Sequence, residues 1–169
     1  MLLNFLRASL VLFALSSSAF AAETLPDPSG DIVLTVTGAP NSTATTGPVA
    51  FDANMLKSLG AVTFRTTTIW TEGEHAFTGV PLHVLLEQLG VSTGTIKATA
   101  INDYSVAIPV TDAVPSGPIV AYEMDGKPMS RREKGPLWIV YPYDASPDYR
   151  TEVIYSRSIW QLDRLEIVE

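Results

Sequence analysis

The sequence predicts an α+β domain that is mostly β. Seven short runs rich in β-branched and aromatic residues lie between clusters of Gly, Pro, Asn and Asp, a pattern typical of strands joined by turns. Only two short segments have the spacing of apolar residues that indicates a helix. Strands and helices do not alternate as a parallel doubly wound sheet would require, which favours α+β. A chain of 169 residues with 46% hydrophobic residues has the length and composition of one folded domain.

The first elements lie between residues 32 and 60. Residues 32–37 (IVLTVT) are all β-forming and predict a strand. Residues 38–48 (GAPNSTATTGP) predict a loop, because Gly, Pro and small polar residues interrupt regular structure. Asp52 is suited to cap the N-terminus of a short helix, which ends at Gly60 and carries the apolar residues Met55, Leu56 and Leu59.

A long strand and a clearer helix follow. Residues 61–70 (AVTFRTTTIW) are rich in β-branched residues and predict a strand that ends at Trp70. Pro81 is suited to the first position of the second helix, and Gly90 to the position just after its end. The helix places four leucines on one face, namely Leu82, Leu85, Leu86 and Leu89.

Every element after this helix is predicted to be a strand. Asp125-Gly126 between two β-forming runs indicates a hairpin turn. No helical spacing recurs in this part of the chain, so the prediction counts only two helices in all. The five predicted strands are residues 95–100, 105–109, 119–124, 137–141 and 159–168.

The first residues have the pattern of a secretory signal peptide. Arg7 provides a positive charge, residues 8–15 form a short apolar core, and Ala19-Phe20-Ala21 is typical of a cleavage site. We therefore expect residues 1–21 to be a cleaved signal peptide and residues 22–30 to be a polar leader. The expected location is the periplasm.

Composition and charge exclude several functions. The formal charge of −7 argues against a nucleic-acid-binding protein, which needs a basic surface. The chain contains no cysteine, so it has no disulfide, no thiolate metal ligand and no cysteine nucleophile. Residues 127–164 nevertheless carry seven Lys and Arg against five Asp and Glu, a local charge of +2. Such a segment is either a solvated loop or a site for a small anion.

Five motifs, in this order along the chain, resemble those of the sulfite-oxidase-like, molybdopterin-binding oxidoreductase domain. The resemblance implies that family's mostly β fold over residues 31–169, as a single pterin- or molybdopterin-binding domain. The motifs are residues 77–82 (FTGVPL), 102–105 (NDYS), 119–129 (IVAYEMDGKPM), 134–142 (KGPLWIVYP) and 158–160 (SIW).

The sequence also departs from the family pattern. In the family's enzymes a cysteine before the FTGVPL-like motif binds molybdenum, whereas residues 66–71 here read TTTIWT. A threonine hydroxyl is a poor replacement for a soft thiolate. Trp138 and Trp160 stand at the family's arginine and lysine positions, which would contact the cofactor's pyrophosphate. The resemblance therefore implies an exported pterin-binding module, a carrier or ligand sensor without molybdenum. The alternative is a small periplasmic molybdopterin-dependent oxidoreductase.

A pterin is planar and polar at its edge, so its site needs aromatic faces together with hydrogen-bonding groups. Trp70 is a candidate for stacking, and the alternative is that it caps the core. Trp138 lies within a predicted strand, which favours a place in the core over a stacking role. Asp103 and Tyr104 lie at a turn between strands, where Asp103 could accept from the pterin N–H edge or form an Asx turn.

Basic residues could contact the ligand's side chain. Arg131 and Lys134 lie in a predicted loop and could contact a glycerol or phosphate group, or remain solvated. Arg157 stands near the family's cofactor-binding closure. The expected ligand is a pterin, with a tetrahydropterin as one form and molybdopterin as another. The expected partner, in addition to the pterin, is the periplasmic domain of a membrane signalling receptor.

Overall fold

Ten strands form one curled sheet in the computed structural model, which describes residues 25–40 and 47–168. The predicted signal peptide (residues 1–21), the start of the leader and residues 41–46 of the predicted loop lie outside the described residues. The strands are β1 (Ile32–Thr37), β2 (Val49–Asp52), β3 (Val62–Thr67), β4 (Glu74–Pro81), β5 (Thr95–Ala100), β6 (Ser105–Pro109), β7 (Ile119–Met124), β8 (Lys127–Pro128), β9 (Leu137–Val140) and β10 (Trp160–Val168).

The sheet has the order β2-β1-β10-β9-β7-β4-β3, with β5 and β6 attached to β10 and β8 attached to β7. The pairing of β1 with β10 is parallel and joins the two ends of the described chain. Within the described residues, all other paired strands run antiparallel. This confirms the predicted α+β, mostly β class. β10 pairs with β1, β9 and β5 and is the central strand of the sheet. The segments that surround its N-terminal end are therefore held in place by these pairings.

Three short helices occur in the described part of the chain: α1 (Ala53–Ser58), α2 (Leu82–Gln88) and α3 (Glu152–Arg157). The apolar faces of α1 and α2 lie in the core, whereas α3 buries no residue completely. None of these helices is long and apolar enough to cross a membrane. The core contains the four leucines of the second predicted helix, which are at most 2% exposed.

The prediction missed three strands, β2, β4 and the two-residue β8, and made β3 too long. The sequence analysis assigned no strand between Trp70 and Pro81, where β4 lies. Gly79 is required by a close approach, since a Cβ there would lie 2.3 Å from the carbonyl oxygen of Val120 on β7. A bulge between Thr78 and Gly79 accompanies this contact. Pro81 is the last residue of β4 and precedes α2, and β3 ends at Thr67 rather than at Trp70.

The prediction of two helices was also wrong, because α3 is a third. Its sequence (EVIYSR) is six residues long and has no fully buried face, so the apolar spacing that indicates helices is missing. The local signal that remains is the N-cap Thr151, whose hydroxyl accepts a hydrogen bond from the backbone N–H of Ile154. The last predicted strand begins one residue later than expected, at Trp160.

Asp52 caps α1 as predicted and also holds the leader. Its carboxylate accepts hydrogen bonds from the backbone N–H groups of Met55, Ser29 and Gly30, each at 2.8 Å. The donation from Met55 is the main reason that the pKa of Asp52 is lowered to about 2. The residue therefore joins the end of the leader to the first helix.

Asp52→Asn should make the melting temperature less sensitive to acid. A carboxyl group whose pKa is lower in the folded protein stabilises the fold above its unfolded pKa, and this stabilisation is lost as the pH falls towards its folded pKa. The wild-type melting temperature should therefore fall between about pH 4 and pH 2 by a few degrees more than that of Asp52→Asn. Asp31→Asn, at an exposed neighbouring position, is the control and should keep the wild-type pH dependence in the same calorimetric series. Parallel curves for wild type and Asp52→Asn would contradict the assignment.

Candidate functional site

The loop after β3 is clamped in place by threonine hydroxyls and one carboxylate. Asp144 accepts hydrogen bonds from the backbone N–H and the hydroxyl of Thr67, and the first of these is the main reason that its pKa is lowered. The backbone N–H of Asp144 donates in turn to the buried hydroxyl of Thr66 at 3.1 Å. The Thr68 hydroxyl oxygen accepts from the backbone N–H of Trp70 at 3.1 Å and of Thr71 at 3.0 Å. These contacts fix the position of Trp70.

Trp70 is the centre of an aromatic cluster. Its ring makes edge-to-face contacts with Trp138, Tyr143, Tyr155 and Trp160, at centroid distances between 5.4 and 6.2 Å. Such pairs stabilise a fold beyond the burial of their area. Trp138 is completely buried and donates from its indole N–H to the backbone carbonyl of Ser158 at 3.2 Å. Trp70 is only partly buried, so it both packs on the core and faces outward.

A pocket of about 460 Å³ opens beside this cluster. Its walls come from the loop after β3, from the turn between β5 and β6, from α3 and from the first residues of β10. No lining side chain carries a formal charge. The lining residues are Trp70, Ala100, Asn102, Tyr104, Tyr155, Ser156, Ser158, Ile159, Trp160 and Gln161.

The turn between β5 and β6 is held from outside the pocket. The Asn102 side-chain oxygen accepts from the backbone N–H of Tyr104 at 3.2 Å, so Asn102 rather than Asp103 makes the Asx-type contact. Asp103 has a φ of 67° and its carboxylate, 83% exposed, accepts from the guanidinium of Arg164 at 2.8 Å. The same guanidinium donates to the carbonyl of Ala100. Asp103 therefore shapes the turn, while its two neighbours line the pocket.

The α3 wall is anchored by Arg157. The guanidinium of Arg157 donates to both carboxylate oxygens of Asp112, at 3.1 and 2.9 Å. The hydroxyl of Tyr141 donates to the same carboxylate at 2.8 Å, and burial is the main cause that raises the pKa of this tyrosine. Arg157 is thus engaged behind the pocket and does not line it. Its contact fixes the helix that presents Tyr155 and Ser156.

The ammonium group of Lys134 lies over two rings of the aromatic cluster. Its ammonium nitrogen lies 3.8 Å from the ring centroid of Trp160 and 5.6 Å from that of Trp138, a cation–π arrangement. Burial lowers the pKa of Lys134. Arg131 is exposed, and its backbone carbonyl accepts a hydrogen bond from the side chain of Gln161 at 2.7 Å. The basic loop therefore touches the pocket wall through Trp160 and Gln161.

The structure brings the predicted residues to one end of the sheet, but in different roles. Trp70 and Tyr104 line the pocket. Trp138 and Lys134 lie in contact with its aromatic wall, Asp103 and Arg157 are engaged in ion pairs behind its walls, and Arg131 contributes its backbone carbonyl to Gln161. The sequence analysis missed Tyr155, Ser156 and Gln161 as candidates. The first two belong to the helix that was not predicted, and no sequence pattern marks Gln161.

The described residues contain no cluster of three or more His, Cys, Asp and Glu side chains that could hold a metal ion. The hydroxyls of residues 66–68, in the stretch where the resemblance expects a metal-binding cysteine, are used in the loop contacts given above. Aromatic surface, amides and hydroxyls therefore dominate the chemistry of the pocket.

Residues 46–146 match the family model described as the oxidoreductase molybdopterin binding domain. The match ends before α3 and β10, so one side of the pocket lies beyond it. The chain also resembles the crystal structure of the sulfane dehydrogenase SoxCD from Paracoccus pantotrophus, with a TM-score of 0.59 and 18% sequence identity over 81% of this chain. This alignment covers 38% of the SoxCD chain. At this identity the likeness concerns the fold alone. No curated protein matches the sequence.

Proposed function

Because the chain belongs to the oxidoreductase molybdopterin-binding domain family, whose fold is sulfite-oxidase-like, we propose that it is an exported pterin-binding module without molybdenum. The observation that carries this proposal is the pocket beside Trp70, which combines aromatic rings with uncharged polar groups. The module would act as a carrier or a ligand sensor. Residues 1–21 support the export, since they have the pattern of a cleaved signal peptide.

The pocket fits a bicyclic pterin ring. Trp70, Tyr104, Tyr155 and Trp160 supply aromatic surface on several sides of a space of about 460 Å³, which lies within the usual size of small-molecule sites. Amide and hydroxyl groups from Asn102, Gln161 and the two serines lie among these rings and match the polar edge of a pterin. A planar heterocycle would gain both stacking and hydrogen bonds.

The residues fit molybdenum poorly. The soft thiolate that holds the metal in the family's enzymes has no counterpart, because the chain contains no cysteine. The hydroxyl of Thr66 is buried and contacts Asp144, and that of Thr68 accepts two backbone hydrogen bonds. Neither hydroxyl is free to replace the thiolate.

The pocket offers little positive charge to a ligand that carries a phosphate. The ten lining residues carry no formal charge, and the nearest cations have other contacts. Lys134 stacks on Trp160, Arg157 pairs with Asp112, and Arg164 pairs with Asp103 and Asp163. This favours an uncharged pterin, such as a tetrahydropterin, over molybdopterin with its phosphate.

Family membership favours a second candidate, a small molybdopterin-dependent oxidoreductase. In that case molybdopterin would supply the redox chemistry through its metal, and Arg131 and Lys134 would contact its phosphate, with Lys134 leaving its place over the Trp160 ring. The missing thiolate and the uncharged pocket make this the weaker proposal.

The proposed protein partner is the periplasmic domain of a membrane signalling receptor. Exposed apolar side chains at the turn beside the pocket support a docking role for this end of the sheet. Tyr104 is 57% exposed and Ile101 is 37% exposed, so the turn presents two apolar side chains to solvent next to the pocket. A receptor that contacts this turn could sense whether the pocket is filled.

A titration of the purified mature protein with tetrahydrobiopterin tests the proposed function. We expect saturable one-to-one binding by calorimetry, and a pterin identified by mass spectrometry in protein isolated from the periplasm of its own host. We expect elemental analysis to find far less than one molybdenum per chain, because no thiolate is present to hold it. The control is a cysteine-containing member of the family, produced in the same cells, which should retain the metal. Near-stoichiometric molybdenum would overturn the proposal in favour of the oxidoreductase, and no pterin binding would overturn it altogether.

A further inference from the structure

Gln161 has a backbone conformation that is unusual for its residue type. Its φ is 52°, in the left-handed region that disfavours residues with a side chain. The register of β10 against β9 shifts between Trp160 and Leu162, so Gln161 is the extra residue of a β-bulge. Strained residues and bulges are concentrated at functional sites, where they aim a side chain that regular pairing would point elsewhere. Gln161 also lines the pocket.

Hydrogen bonds to two loops, one on each side of the pocket, fix the bulge. The backbone N–H of Gln161 donates to the carbonyl of Lys134, and its own carbonyl accepts from the N–H of Ile101, both at 2.9 Å. Its side-chain nitrogen donates to the carbonyl of Arg131 at 2.7 Å. The residue therefore links the basic loop to the turn that carries Asn102 and Tyr104. Three contacts from two different loops fix its position.

The third contact also fixes the orientation of the side-chain amide. Because the Arg131 carbonyl can only accept a hydrogen bond, the atom facing it must be the NH₂ group of Gln161. The amide oxygen therefore faces away from this carbonyl. Among the described residues, no group donates a hydrogen bond to it. Gln161 lines the aromatic pocket, so a ligand N–H group that reaches this oxygen would find an acceptor in a fixed orientation.

We infer that Gln161 is a specificity-determining residue, whose amide oxygen accepts a hydrogen bond from the exocyclic amino group of the bound pterin. This inference rests on the proposed function and names the edge of the ligand that the site recognises. A pocket with a fixed acceptor binds a ligand that carries the matching donor more tightly than an analogue without it. The analogue removes water from the acceptor and gives it no hydrogen bond in return. Gln161 thus separates 2-amino pteridines from their 2-oxo counterparts.

The test compares pterin with lumazine, which carries a carbonyl in place of the exocyclic amino group. The wild-type protein should bind pterin at least about tenfold more tightly than lumazine. In Gln161→Met, which has a similar shape without polar groups, pterin affinity should fall about tenfold and the preference over lumazine should disappear. A purely structural role for Gln161 would weaken both ligands equally and leave their ratio unchanged.

Gln161→Gly guards against a failure to fold. Glycine adopts a positive φ without steric cost, which offsets the lost contact with the Arg131 carbonyl, so this variant should stay folded while it too loses the preference for pterin. If wild type prefers pterin and either variant keeps that preference, the inference is overturned while the proposed function stands. If wild type binds both ligands equally, the inference is also overturned. If wild type binds neither pteridine, the inference is overturned, and if it also fails to bind tetrahydrobiopterin, the proposed function itself fails.

Discussion

Trp70→Ala is expected to weaken pterin binding roughly 10- to 100-fold. Stacking of a heterocycle on an aromatic side chain contributes ~1–3 kcal/mol, and every 1.4 kcal/mol changes a dissociation constant tenfold. Trp70 lines the pocket and its position is fixed by the turn at Thr68, so its ring is already in place for the ligand. Such preorganisation reduces the entropy cost of binding. Calorimetric titration with tetrahydrobiopterin measures the loss.

The same substitution should also lower stability, because Trp70 packs on four other aromatic rings. We expect ~1–3 kcal/mol, within the usual range for a partly buried residue. The two alternatives for this residue, a stacking surface or a cap on the core, are therefore not exclusive. Binding must be measured at a temperature where the variant is fully folded, as judged by its melting curve.

Tyr149→Ala is the matched control for Trp70→Ala. Tyr149 is also partly buried and packs on an aromatic ring, with its centroid 5.9 Å from that of Tyr141, but it does not line the pocket. This variant should lose stability and keep the wild-type affinity. Trp70→Phe should bind with intermediate affinity, since it keeps a smaller ring. A folded Trp70→Ala protein that binds as tightly as wild type would refute the site and leave only the fold.

Trp138→Ala is expected to cost ~3–5 kcal/mol of folding free energy, the largest effect on stability of any single change considered. Its side chain is completely buried and has edge-to-face contacts with Phe77 at 5.3 Å and with Trp70 at 5.8 Å. Alanine would leave a large cavity, and the carbonyl of Ser158 would lose the indole donor. For a chain of this length the melting temperature should fall by roughly 10 to 20 °C.

Trp138→Phe distinguishes the stability lost to the cavity from the stability lost with the indole hydrogen bond. Phenylalanine fills most of the volume but has no N–H group, so this variant should lose only part of the stability. Chemical denaturation of the three proteins gives the free energies. Because Trp138 does not line the pocket, folded Trp138→Phe should bind the pterin nearly as well as wild type. A Trp138→Ala protein that melts within a few degrees of wild type would contradict the buried placement.

Local patterns predicted the elements whose own residues carry the signal. The helix with Leu82, Leu85, Leu86 and Leu89 was found because its apolar face repeats at the helical period, and these leucines are buried as that face requires. The strands β5 to β7 were found because β-forming residues lie between turn residues. Helix α3 was missed because it has no buried face. β4 was missed because it contains Gly79 and Pro81, two residue types that are uncommon within strands.

The sequence analysis could not indicate which groups its polar candidates contact, because these partners are distant in the sequence. Arg157 was a candidate for the ligand, but it pairs with Asp112, which lies 45 residues earlier. Asp103 was a candidate for the pterin edge, but its carboxylate pairs with Arg164, which lies 61 residues later. A charged side chain takes the nearest opposite charge in space, and spacing along the chain does not reveal that neighbour.

The sequence by itself determined the mostly β class, the family resemblance and the lack of a thiolate, because composition and short motifs are properties of neighbouring residues. Only the tertiary structure decided where the pocket lies. Its walls come from Trp70, from the turn at residues 100–104 and from residues 155–161, and the curled sheet brings these three segments together. The bulge at Gln161 likewise arises from register against β9, a pairing between strands about 20 residues apart, so no local pattern could have indicated it.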